Sequence, residues 1–115
     1  MVAPKKRVPP MSRETVAVEK EGVLNRLIKN KRSQDFYVLY HSLWDDNSKK
    51  ILKEIEGWEE RPSKKDQTIH LINSWELPHS FVAFSVTSVP TLVKCVKGRV
   101  FVETYLPNIF RFFSL

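Results

Sequence analysis

Ser88-Val89-Pro90-Thr91-Leu92-Val93, the turn Lys97-Gly98-Arg99 and the run Val100-Phe101-Val102 together decide the fold. Residues 92–96 and 100–105 are rich in β-branched and aromatic side chains, and the short glycine-containing segment between them reads as a hairpin turn.

Upstream of this hairpin the chain alternates helix and strand patterns. Val23, Leu24, Leu27 and Ile28 recur at helical spacing within residues 19–31, with basic residues gathered in the last turn, where the helix dipole favours them. Phe36-Tyr37-Val38-Leu39-Tyr40 is a short continuous apolar run, the pattern of a strand buried on both faces. Asp45, Asp46, Asn47 and Ser48 supply N-caps for a helix whose stripe is Ile51, Leu52, Ile55 and Trp58. Arg61-Pro62-Ser63 ends it, and Thr68-Ile69-His70-Leu71-Ile72 reads as a strand. Pro78 suits the first residue of a helix carrying Phe81, Val82 and Phe84, and Pro107 opens a last helix with Ile109, Phe110, Phe112, Phe113 and Leu115. Parallel strands need crossover helices and a hairpin needs none. The order α-β-α-β-α-β-β-α therefore predicts an α/β three-layer sandwich, a mixed four-stranded sheet with helices on both faces.

Composition sets the bounds. A chain of 115 residues, 42% hydrophobic, buries one core. Its net charge of +6 is concentrated at one end: residues 1–32 hold nine Lys and Arg against three Glu, and the remaining charges balance. Residues 1–18, with Pro4, Pro9, Pro10 and the cluster Lys5-Lys6-Arg7, carry few large apolar side chains and read as a flexible basic arm. Residues 19–115 are the expected domain. The single cysteine, Cys95, allows no internal disulfide and favours a reducing compartment. No apolar run reaches the ~18 residues of a membrane span. The expectation is a soluble, intracellular protein, in the cytoplasm, the nucleus or a larger particle.

The segment from Val86 to Thr91, Gly98 in the hairpin turn, and the approach His41-Ser42-Leu43-Trp44 to a helix running through Lys49-Lys50-Ile51-Leu52 carry a resemblance to the thioredoxin family. Leu24-Asn25-Arg26-Leu27-Ile28 and the strand 36–40 extend it, so that it covers roughly residues 23–106. The resemblance implies a thioredoxin fold and a cis Val89–Pro90 bond. It also implies a groove lined by Trp44, Val89, Pro90 and Thr91, where backbone ahead of the proline pairs with an extended peptide. Where the family carries Trp-Cys-x-x-Cys, this chain reads Trp44-Asp45-Asp46-Asn47-Ser48, so the two cysteine positions fall at Asp45 and Ser48. Thiol–disulfide exchange needs a thiolate and a resolving thiol, and a carboxylate and a hydroxyl supply neither.

Catalytic signals are sparse. Cys95 reads as a small buried hydrophobe, with a monothiol oxidoreductase as its functional alternative. His41, His70, His79 and Cys95 match no zinc spacing, and the three isolated glycines build no phosphate loop. The sequence therefore points to no enzyme, cofactor or metal, and to a redox-inactive protein-interaction or structural module. An alternative is an assembly subunit of a virion or other large particle. In that reading Lys5, Lys6 and Arg7 contact nucleic acid or another anionic surface, and the aromatic C-terminus, with Phe110, Phe112 and Phe113, docks on a protein partner.

Overall fold

The computed structural model describes residues 13–61 and 67–114. Five strands form one mixed sheet in the order β1-β3-β2-β4-β5. The central strand β2, Phe36–His41, is buried at all six positions, as its unbroken apolar run requires. It pairs in parallel with β3, Gln67–Asn73, and antiparallel with β4, Thr91–Val96, whose hairpin partner β5, Arg99–Glu103, forms one edge.

Four strands were expected, and the fifth, β1, Arg13–Ala17, lies inside the stretch read as an arm. It pairs in parallel with β3, from Arg13 opposite Gln67 to Ala17 opposite Leu71. Its charged, mixed composition hides it, because much of what holds it comes from outside the segment. Glu59 accepts hydrogen bonds from both the N–H and the hydroxyl of Thr15, at 3.1 and 3.0 Å. The Arg13 guanidinium lies 5.5 Å from the centre of the Trp58 ring, and Val18 just beyond the strand is buried. The cluster Lys5-Lys6-Arg7 lies outside the described residues.

Two cores sandwich the sheet. On one face, α1 (Glu21–Lys29) and the 3-10 helix Pro78–Phe84 cover Phe36, Val38, Tyr40, Val93 and Cys95. On the other, α2 (Asp46–Glu60) and α3 (Leu106–Ser114) cover Tyr37, Leu39, Ile69 and Leu92. Alternate residues of β2 divide between the two, as strand geometry dictates. Trp58 of α2 and Phe113 of α3 meet edge to face at 5.6 Å, and Arg61 donates to the carbonyl of Phe113, fastening the two helices. No described helix is long and apolar enough to cross a membrane.

The hairpin turn is Lys97-Gly98, with φ of 54° and 80°. Both values are positive, which is the two-residue turn that matches strand twist and the reason for glycine at its second place.

Removing β1 tests its share in stability. A chain beginning at Glu19 should be less stable than one beginning at Arg13 by at least about 1.5 kcal/mol in urea denaturation, since burying one valine contributes about 1.5–3 kcal/mol. Equal midpoints would mean that β1 adds nothing to the folded domain.

Candidate functional site

The carboxyl ends of β2 and β3 lie side by side, with His41 opposite Asn73, and the start of β4 adjoins them, with Thr91 opposite Tyr40. This register gathers three loops at one end of the sheet, where open α/β sheets place their binding crevices.

The loop after β2 is organised by the start of α2. Asp45 is the N-cap, its Oδ2 accepting from the Ser48 N–H at 2.8 Å. Ser48 is fully buried, and its Oγ accepts from the Ser42 N–H at 3.2 Å. The two residues aligned with the family's cysteine positions are thus bonded to one another and to the loop. Trp44, one residue ahead of the cap, is turned outward and 68% exposed, with Leu43 exposed beside it.

The loop after β3 supplies a residue that the sequence reading passed over. Asn73 Oδ1 accepts from the Trp75 N–H at 3.1 Å, and the Ser74 N–H donates to the His41 carbonyl at 2.8 Å, which ties this loop to the end of β2. Trp75 is 73% exposed and meets Trp44 edge to face, with ring centres 4.9 Å apart. A tryptophan flanked by Ser74 and Glu76 carries no periodic signal; only its place at a strand's carboxyl end marks it.

The third loop carries the cis Val89–Pro90 bond that the resemblance implied. Val89 is half-buried and packs against the α1 face. Pro90 and Thr91 are buried, the Thr91 hydroxyl donating to the Ser88 carbonyl at 2.8 Å. Of the four residues expected to line a groove, Trp44 is fully presented to solvent and Val89 partly, while the side chains of Pro90 and Thr91 brace the loop from below.

The aromatic C-terminus lies apart from these loops and is largely core. Phe113 is fully buried against Trp58, because its position on α3 faces the sheet, and it cannot serve as a docking residue. Phe110 and Phe112 are half-buried in the same core, the Phe112 ring lying 5.3 Å from that of Tyr37.

Titratable groups near the site are few. His41 is buried with its Nδ1 unpartnered, and desolvation holds its pKa below the ordinary histidine value. Tyr40 is buried, its hydroxyl donating to the Ser80 carbonyl at 3.0 Å, and desolvation raises its pKa. Cys95 lies fully buried in β4 on the α1 face, and burial pushes its thiol up, with Lys31 acting against and Asp35 with that shift. Among the described residues no group of three His, Cys, Asp or Glu side chains could hold a metal ion.

No protein-family model matches the chain, and no characterised sequence is significantly similar to it. Solved structures are similar. Thioredoxin NaTrxh from Nicotiana alata superposes with a TM-score of 0.70 at 13% identity, over 95% of this chain and 96% of that one. Thioredoxin from Trypanosoma brucei brucei gives 0.68 at 12%, covering 98% and 93%, and thioredoxin O2 from Arabidopsis thaliana in its oxidised state gives 0.65 at 16%, covering 87% and 91%. The chain has a thioredoxin-like fold. At these identities the likeness is one of architecture, and what its strand-end loops do is settled by their own residues.

Burial of His41 gives a pH dependence with a definite sign. The folded state disfavours the imidazolium, so the unfolded chain binds the proton first as pH falls through its value of ~6.5. Stability is full above that value and declines below it, by at most about 1.4 kcal/mol per pH unit for this group. His41→Asn should flatten the fall in unfolding midpoint between pH 7.5 and pH 5; an unchanged slope would remove His41 as its source.

Proposed function

We propose that this chain is a redox-inactive thioredoxin-fold protein that works as an interaction module, holding an extended segment of a protein partner across the Trp44–Trp75 end of the sheet. The observation that carries this reading is the bond from the Ser48 N–H to Asp45, at 2.8 Å, at the two positions aligned with the family's cysteines. Both side chains serve local structure, and neither can attack or resolve a disulfide. Cys95 offers no substitute, since a thiol buried in the sheet with a raised pKa supplies little thiolate and no room for a mixed disulfide.

Binding has firmer support. Two large aromatic rings stand in water at the strand ends, which is costly in apolar exposure unless a partner covers them. The loop ahead of β4 opens at the same end of the sheet, since Thr91 stands opposite Tyr40, and strand-like pairing with a peptide requires no thiols. Asp45, Asp46 and Glu76 flank the tryptophans in sequence, so the matching segment presents basic or apolar side chains, whose cations are favoured over indole faces.

Two measurements test the two halves. In dithiothreitol-driven insulin reduction the protein should give no acceleration; an acceleration abolished by Cys95→Ser would overturn the redox-inactive reading. Peptides selected from a displayed library on the native protein should lose roughly tenfold or more in affinity, about 1.4 kcal/mol, with Trp44→Ala or Trp75→Ala. Because both rings are exposed, the variants should fold as the native chain does, and undiminished binding would place the interaction surface elsewhere.

A further inference from the structure

The two edges of the sheet are finished differently. At β1 the Thr15 N–H is capped by Glu59. At β5 no such cover exists among the described residues, and Val100, Phe101 and Val102 are 39%, 51% and 46% exposed, on both faces of the strand at once. Exposed, flat and apolar edge strands are rare in monomers because they invite pairing.

The hairpin determines which backbone groups are available. A two-residue turn makes Val96 and Arg99 a hydrogen-bonded pair, and alternation along the register gives Lys94 with Phe101 and Leu92 with Glu103 the same character. Arg99, Phe101 and Glu103 thus spend their N–H and C=O groups on β4. Those of Val100 and Val102 point outward, and no described residue bonds to them from outside the sheet.

We propose that β5 pairs with β5 of a second copy of this chain, antiparallel about a two-fold axis through Phe101. The sequence Arg99-Val100-Phe101-Val102-Glu103 is complementary to itself in this register. Val100 falls opposite the other copy's Val102, so the four outward-facing groups of each strand exchange hydrogen bonds. Phe101 falls opposite its own counterpart in a non-hydrogen-bonded pair, the closer of the two spacings, on the face that carries α3. Arg99 falls opposite Glu103 at both ends, so two equivalent ion pairs close the ladder. A shift by one residue breaks the hydrogen-bond parity, and a shift by two in either direction separates Arg99 from Glu103 at both ends. Glu103 already accepts from the Tyr105 N–H and the Asn108 side-chain amide, which holds its carboxylate in place at the strand end.

Two five-residue edges bury less than the roughly 1,200–2,000 Å² of a stable interface, so the pairing is concentration-dependent. Its isologous symmetry closes it at two copies. The proposal does not depend on the peptide-binding reading.

Sedimentation equilibrium of the full chain over a concentration series tests it. The expected result is a rise from the 13.5 kDa chain mass toward twice that value, weakened by salt because the end pairs are exposed. Val102→Pro removes one outward N–H and leaves the β4 ladder intact; with native circular dichroism it should lose the dimer. Arg99→Glu and Glu103→Lys each set like charges opposite one another and should be monomeric alone, while their mixture restores both ion pairs and associates. Should Glu103→Lys fail to fold through loss of its bonds to Tyr105 and Asn108, Val102→Pro and Arg99→Glu decide. A native chain that stays monomeric at every concentration, or a dimer that survives both of these substitutions, overturns the proposal.

Discussion

Complete burial of β2 is the constraint on which the rest of the structure depends. With Phe36 to His41 all shielded, each face of the strand needs its own cover and each backbone edge its own partner. The parallel partner β3 can be reached only by a crossover, and the crossover helix α2 lays Ile51, Ile55 and Trp58 over Tyr37 and Leu39. The other face receives Leu24 and the aromatic residues of the 3-10 helix, among them Phe81, which meets Tyr40 edge to face at 4.7 Å. The antiparallel partner β4 then needs only a hairpin to reach β5. A polar substitution at Val38 or Leu39 would bury an unpaired polar group in one of the two cores.

What the sequence made legible follows the same logic. Elements that bury an apolar pattern of their own were readable: the run at β2, the Ile51–Trp58 stripe of α2, the hairpin about Gly98, and the 3-10 helix opened by Pro78. β1 was not, because Arg13-Glu14-Thr15-Val16-Ala17 has no apolar face to speak of. Part of its stability comes from Glu59 and Trp58, residues remote in sequence. The C-terminal aromatics were misjudged for a related reason. Ile109 and Phe113 fill the core as expected of one stripe, but Phe110 and Phe112 flank it and are half-buried in the same core, with Lys94 over the Phe112 ring. A helix whose apolar arc is wide can still be buried when it lies in a groove between a second helix and a sheet.

The candidate site was half legible. Trp44 and the proline loop stood out through the resemblance, whereas Trp75 has meaning only once β2 and β3 are placed in parallel and in register. Pairing of strand ends turns two unrelated loop tryptophans into one surface. By the same register, the side chains of Pro90 and Thr91 fall just inside the sheet's end, where they fix the loop's shape and leave its outer face to Val89 and the backbone.

The start of α2 is not electrostatically idle. The first turn of a helix presents unpaired N–H groups and the positive end of its dipole, the environment that lowers the pKa of a cysteine placed there. Asp45 answers the same field with a fixed negative charge, and the hydrogen bond to its carboxylate stabilises the helix by about 1 kcal/mol, as an N-cap does. Ser48, fully buried, turns its hydroxyl back to the Ser42 N–H and closes the loop from inside. The helix start is thereby used to fix the backbone of the loop that carries Trp44. In the proposed binding mode, rigidity gained at the cap would preorganise the aromatic surface, since a partner meeting Trp44 and Trp75 would not have to order the loops that carry them.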